Sequence, residues 1–92
     1  MPNRLGLAKK ASKLTVGTDQ VIKAIQSGKA KLVFLASDAA FNTTKKITDK
    51  CHFYQVEVLT MFDSNTLSKA IGKSNIKCVA ILDEGFRDMF KN

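Results

Sequence analysis

The sequence predicts an α/β fold, a three-layer α/β/α sandwich around a mixed sheet of about four strands, formed by a single domain over residues 1–92. Three observations carry that expectation. Leu32-Val33-Phe34-Leu35-Ala36 is an uninterrupted apolar run of the length expected for a strand buried on both faces. Segments with helical apolar spacing alternate with strand-like runs from Leu5 to Phe90. Finally, 92 residues with 45% apolar content suffice for one core and leave no room for a second.

The first helix is predicted over residues 3–11, with Leu5, Leu7, Ala8 and Ala11 available for one apolar face. A second helix is predicted over residues 19–27. Thr18 or Asp19 can cap its first amides, Val21, Ile22 and Ile25 recur at helical spacing, and Gly28 sits where the chain must leave it. The strand Lys31 to Ala36 follows and ends at Ser37-Asp38. Asn42 is a good N-cap for a third helix reaching Cys51, with Lys45, Lys46 and Lys50 outward and Ile47 and Cys51 inward. A strand is expected from Tyr54 to Leu59, where Val56 and Val58 alternate with Gln55 and Glu57. Asp63 or Ser64 can cap a fourth helix through Leu67, Ala70 and Ile71, closed by Gly72. Cys78 to Leu82 reads as a strand and Gly85 to Lys91 as the last helix.

Strands separated by helices imply right-handed crossovers and helices on both sheet faces. Ligands of such folds sit where turns leave one edge of the sheet, here Gly17 to Gln20, Ser37 to Asn42 and Gly72 to Lys77. The glycines at positions 6, 17, 28, 72 and 85 read as helix boundaries and turns.

Composition narrows the function. No apolar run approaches the roughly 20 residues that cross a bilayer, and Lys9, Lys10 and Lys13 follow where a signal peptide would be apolar. Cys51 and Cys78 make no disulfide framework, which fits a reducing compartment, so a cytoplasmic chain with no membrane partner is expected. The net charge is +7, and residues 1–31 hold Arg4, Lys9, Lys10, Lys13, Lys23, Lys29 and Lys31 against Asp19 alone, so one end is expected to be electropositive and to favour polyanions.

No catalytic set emerges. His52 is the only histidine, and its neighbour Cys51 points elsewhere, so a buried Cys51 and a surface His52 are expected. Two cysteines 27 positions apart lack the paired spacing of a zinc site, and neither GxGxxG nor a Walker-type loop is present. No enzyme activity, metal or cofactor is predicted.

What remains is Gly17-Thr18-Asp19-Gln20-Val21-Ile22-Lys23. Gly17 leaves room for the backbone of a ligand, and valine there is expected to block that approach with the fold intact. The helix start offers free N–H groups and partial positive charge to a phosphate, and Lys23 adds a full charge one turn later. Gln20 both donates and accepts at a base edge.

The segment VGTDQVIKAIQSGKAKLVFLASDA resembles the signature of the L-seven-Ae ribosomal-protein family of kink-turn RNA binders, in which Gly-x-Asn-Glu-x-x-Lys opens a helix and a Lys-Leu-Val strand follows. LGLAKKASKL before it, NTTKKITDKC after it and AIGKSNIKCVAILDEGF near the end are similar, in order and spacing, to the short bacterial YlxQ-type members of that family. The resemblance implies the fold above and the binding of a sharply bent RNA internal loop, with tandem sheared G·A pairs beside a three-nucleotide bulge.

By that resemblance, Gly17 and Thr18 lie against the RNA backbone, Asp19 and Gln20 face the G·A edges, and Lys23 reaches a guanine or phosphate. Lys29 and Lys31 add phosphate contacts. Lys73, Ser74, Asn75 and Ile76 in the loop Gly72 to Lys77 support a flipped-out base, with Ile76 as its apolar contact. The implied partners are structured RNA, ribosomal or otherwise kink-turn-like, and the ribosome, met by a monomer. Where the family has Asn-Glu, this chain has Asp19-Gln20. Aspartate lacks the NH₂ donor and brings negative charge near phosphates unless it serves as the helix cap, whereas Gln20 supplies a donor that Glu lacks. A modest-affinity, salt-sensitive binder is therefore expected. The alternative is a protein-interaction or assembly module with only non-specific RNA affinity, using Phe41, Met61 and Phe62 as exposed anchors; these side chains are expected instead to pack in the core or against loops.

Overall fold

In the computed structural model, which describes residues 2–90 and side chains from Gly6 onward, the apolar run becomes strand β2 (Leu32–Leu35), with all four residues buried. Its neighbour β4 (Cys78–Ile81) is buried throughout and pairs antiparallel with it, Val33 opposite Ala80. Two short strands complete the sheet: β1 (Leu14–Val16) antiparallel to β4, and β3 (Val58–Leu59) parallel to β2. The order is β1-β4-β2-β3. The sheet is mixed and four-stranded, as predicted, although β1 had no signal of its own beyond three residues.

Because side chains alternate across a strand, β2 and β4 serve two cores. Leu32, Phe34, Val79 and Ile81 face one helix layer together with Ala8, Leu67, Ile71 and Ile76. Val33, Leu35, Cys78 and Ala80 face the other, with Val21, Ala24, Ile25, Ile47 and Cys51. The first layer holds α1 (Pro2–Lys10), α4 (Ser64–Ile71) and α5 (Glu84–Met89), and the second holds α2 (Thr18–Gln26) and α3 (Phe41–Tyr54). Phe34, 1% exposed, lies between the rings of Phe62 at 5.6 Å and Phe90 at 4.9 Å. The Arg4 and Leu5 side chains and Lys91, assigned above to the first and last helices, lie outside the described residues.

Several boundaries differ from expectation for identifiable reasons. Asn42 is not the cap of α3; the extended Ala40 is, and it makes no side-chain cap bond. The helix runs on through Tyr54, because Gln55 rather than a glycine takes the left-handed conformation that ends it (φ 59°), which confines β3 to two residues. Gly6 and Gly85 lie inside α1 and α5 rather than at boundaries; a Cβ on Gly6 would sit 3.1 Å from the Ala70 carbonyl, so α1 and α4 touch through it. Asp63 does cap α4, accepting from the Thr66 N–H at 2.8 Å, and Gly72 closes it at φ 71°.

Both thiols are buried. Burial, reinforced by the neighbouring Cys78, pushes Cys51 from 9.0 to about 11. Cys78 is raised by burial too, the neighbouring Thr18 hydroxyl acting against the rise. A folded state that keeps protons the unfolded chain has begun to lose is fully stable below pH 9, and this contribution is lost as pH rises toward 11. Thiol labelling at mildly alkaline pH is accordingly expected to spare the native protein and to modify both cysteines in urea. Rapid labelling of the native chain would contradict this.

Candidate nucleic-acid interface

Strands β1, β2 and β3 run in one direction and β4 runs against them. The turns after β1 and β2 and the loop before β4 therefore meet at one end of the sheet. Two backbone bonds pin them there: the Gly17 N–H donates to the Cys78 carbonyl at 3.2 Å, and the Ala36 N–H to the Lys77 carbonyl at 2.7 Å. The three segments expected to hold the site thus share one surface.

Gly17 is the N-cap of α2 at φ 92°, ψ 146°, a backbone region open to glycine and strained for any other residue. Nothing lies within 4 Å of where its Cβ would be. Valine at this position would therefore strain the chain, contrary to the expectation that the fold would be indifferent to it. Neither Thr18 nor Asp19 caps the helix, also contrary to expectation: the N-cap is Gly17, and the helix start has no side-chain cap bond. The bend at Gly17 turns the Thr18 hydroxyl toward Cys78, whose Sγ donates to it at 3.8 Å, and leaves Asp19 and Gln20 exposed. The first bond of the helix runs from the Val21 N–H to the Gly17 carbonyl at 2.9 Å. The N–H groups of Thr18, Asp19 and Gln20 precede it, so they face out of the helix end and carry its partial positive charge. Lys23 follows, exposed and in no ion pair among the described residues.

The second loop is held from beneath by Ser68, the one buried polar side chain among the described residues. Its hydroxyl donates to the Ser64 carbonyl at 2.7 Å and accepts from the Ile76 N–H at 3.0 Å. The Ser68 carbonyl accepts from the Lys73 N–H, also at 3.0 Å. Asn75 takes a left-handed conformation at φ 58° and, with Lys73 and Ser74, is exposed. Ile76 is not: only 7% exposed, it packs with Leu67, Ile71 and Val79, because alternation along the chain entering β4 turns it to the core. It is unavailable as the loop's apolar contact.

Lys29 and Lys31 are not brought to this surface either. Helix α2 carries the chain away from it by roughly 13 Å at about 1.5 Å per residue, and the Lys31 N–H donates to the Ile81 carbonyl at the far end of β4. Lys29 and Lys31 therefore lie toward the opposite end of the sheet from the start of α2, instead of joining Lys23 in one electropositive end. Two acids near the candidate surface are already committed. Asp38 accepts from the Ser64 hydroxyl and N–H, each at 2.8 Å, and these bonds hold its carboxyl below the usual carboxylate range. The Thr66 N–H does the same for Asp63.

Of the alternative anchors, Phe41 is 78% exposed and Met61 62%, although core or loop packing was expected for them, whereas Phe62 lies against Phe34. Cys51 is buried and His52 exposed, and among the described residues no three His, Cys, Asp or Glu side chains come together as metal ligands. No helix there is long and apolar enough to cross a membrane. Sequence reasoning missed Ser68, which gave no signal apart from its fold context. It also missed Phe53 and Tyr54, exposed at 77% and 40% at the end of α3; the inward spacing of Ile47 and Cys51, carried one turn further, turns Phe53 outward but puts Tyr54 on the side of Ile47, so only Phe53 could have been found in this way.

A model of the ribosomal protein L7Ae/L30e/S12e/Gadd45 family matches residues 1–90. The RNA-binding protein YlxQ of Bacillus subtilis is 46% identical over 82 residues, covering 89% of this chain and 82% of its own. The large ribosomal subunit protein eL30 of Tetrahymena thermophila is 34% identical over 92 residues, covering 97% and 88%. Among solved structures, a protein with unknown function from Bacillus halodurans C superposes with a TM-score of 0.91 at 41% identity, covering 96% of this chain and 89% of its own. The Giardia lamblia 15.5kD RNA binding protein superposes at 0.83 and 20% identity, over 95% and 75%, a likeness of fold alone.

Proposed function

Because the chain belongs to the ribosomal protein L7Ae/L30e/S12e/Gadd45 family, we propose that it binds a structured, kink-turn-type RNA, in association with the ribosome or another ribonucleoprotein, through the end of the sheet where α2 begins. The observation that carries this reading is a helix start with no side-chain cap, held against a second exposed loop by the Gly17–Cys78 and Ala36–Lys77 backbone bonds. Such a surface offers N–H donors and partial positive charge to phosphate, with base-reading side chains beside them. The relatives bear names of RNA-binding and ribosomal proteins rather than of enzymes, and binding without catalysis is the activity proposed.

In this reading Gly17 and Thr18 lie against the RNA backbone and Gln20 reads a base edge. Lys23 makes a charge-assisted contact, and Lys73, Ser74 and Asn75 support an unstacked base. Lys29, Lys31 and Ile76 have no place in it. Asp19, exposed and free of any capping role, presents a carboxylate where an amide would donate. Asp19→Asn is accordingly expected to tighten kink-turn binding several-fold, by removing a like charge near phosphates and adding a donor. Unchanged or weaker binding by that variant in a filter assay would show that the carboxylate faces away from the RNA.

The experiment that tests the surface is amide chemical-shift mapping with a kink-turn RNA. Perturbations concentrated at residues 17–23 and 73–75 are expected. A map centred on Phe41 and Met61 would favour the interaction-module reading instead.

A further inference from the structure

The end of the sheet opposite the proposed RNA surface holds a second set of groups that the function above does not use. Helix α3 finishes there with Phe53 and Tyr54, 77% and 40% exposed, their rings 4.9 Å apart and near-perpendicular at 75°. Lone exposed apolar side chains need no explanation, but two adjoining rings framed by cations are a different matter. Lys50 lies one helical turn before Tyr54 on the same face. Tyr54 lines one hollow with Gly28, Lys31, Gln55 and Arg87, and Lys29 directly follows Gly28. Lys29, Lys31 and Lys50 enter no ion pair among the described residues, whereas the Arg87 guanidinium is committed to Asp88 at 3.0 Å.

We propose that this end is a second RNA contact, which takes an unpaired strand by stacking its bases on Phe53 and Tyr54 while Lys29, Lys31 and Lys50 meet its phosphates. Every base has a face that stacks on an aromatic ring, and free lysines beside the rings track a phosphate chain, so the pairing suits single-stranded RNA without sequence preference. An acidic protein segment would satisfy the lysines but leave the stacking faces unused. The site also gives a role to Lys29 and Lys31, which the fold removes from the first surface. It rests on the reading of the chain as an RNA binder, not on its recognition of a kink-turn.

Tyr54 is the only tyrosine and the chain has no tryptophan, so intrinsic fluorescence reports on this end alone. Titration with an oligouridine of about ten nucleotides is expected to quench Tyr54 saturably, and Phe53→Ala and Lys31→Ala each to weaken that binding roughly tenfold. Both variants are expected to bind a kink-turn RNA as the natural protein does, which also shows that they fold. The proposal is overturned by an absence of quenching, by quenching that survives both substitutions, or by a polyaspartate peptide that quenches where oligouridine does not. Kink-turn binding without oligouridine quenching sinks this site alone. Quenching without kink-turn binding leaves this site standing and sinks the proposed function instead.

Discussion

Lys23→Ala is expected to weaken binding to a kink-turn RNA by about 1–3 kcal/mol, roughly five- to 150-fold, with thermal unfolding unchanged. Lys23 is exposed on the second turn of α2 and pairs with no acid among the described residues, so the fold loses no contact. Alanine is also the better helix former, which works against any loss of helix stability. What is lost is a cation one turn above the uncapped helix start, where the N–H groups of residues 18–20 already favour an anion. If its contact is to phosphate, the slope of log affinity against log salt falls by about one; if it is to a base edge, the loss is larger for the matched RNA than for an altered one. Natural affinity in this variant would remove Lys23 from the site.

A second large effect is expected at Gly17. Gly17→Val should cost about 1–3 kcal/mol of folding stability, because φ 92° with ψ 146° is a region that residues with a Cβ rarely occupy. The cost is backbone strain rather than collision, since nothing of the protein lies within 4 Å of the added atom. That same empty space is where the RNA backbone is proposed to approach, so the branched side chain should also abolish measurable kink-turn binding at concentrations where the variant remains folded. Gly17→Ala separates the two effects: a similar loss in urea denaturation with a smaller loss of binding is expected. Natural stability in both variants would mean that the chain has another conformation available at this bend.

The residues that announced themselves were those whose environment is encoded locally. Leu32 to Leu35 read as a doubly buried strand because no polar residue interrupts them, and both faces are indeed covered. Asp63 and Gly72 bracket α4 with their own chemistry, a carboxylate that accepts from Thr66 and a left-handed turn. Leu14 to Val16 could not be read in this way: three residues become a strand only by pairing with Val79 to Ile81, more than sixty positions later. The end of α3 was hidden because Gln55 takes a conformation that usually signals itself as glycine.

At the site, the motif Gly17 to Lys23 was legible as a helix start, but its cap was assigned to the wrong atoms. Thr18 looks inward to Cys78, a partner sixty residues away that no local pattern reveals. Lys29 and Lys31 were grouped with the motif by closeness in sequence, and the length of α2 sets them apart. Ile76 looked like a free apolar side chain in a polar loop until the loop proved to be anchored on Ser68, which turns it inward.

The most direct test of the account compares, at several salt concentrations, the affinity for a standard kink-turn RNA with that for the same duplex whose tandem G·A pairs are changed to Watson–Crick pairs. Markedly tighter binding to the kink-turn, persisting as salt rises, is the predicted result, since base edges and the bent shape are read in addition to charge. Equal affinity for both, falling steeply and in parallel with salt, would contradict it and reduce the surface around Gly17, Gln20 and Lys23 to a general anion contact.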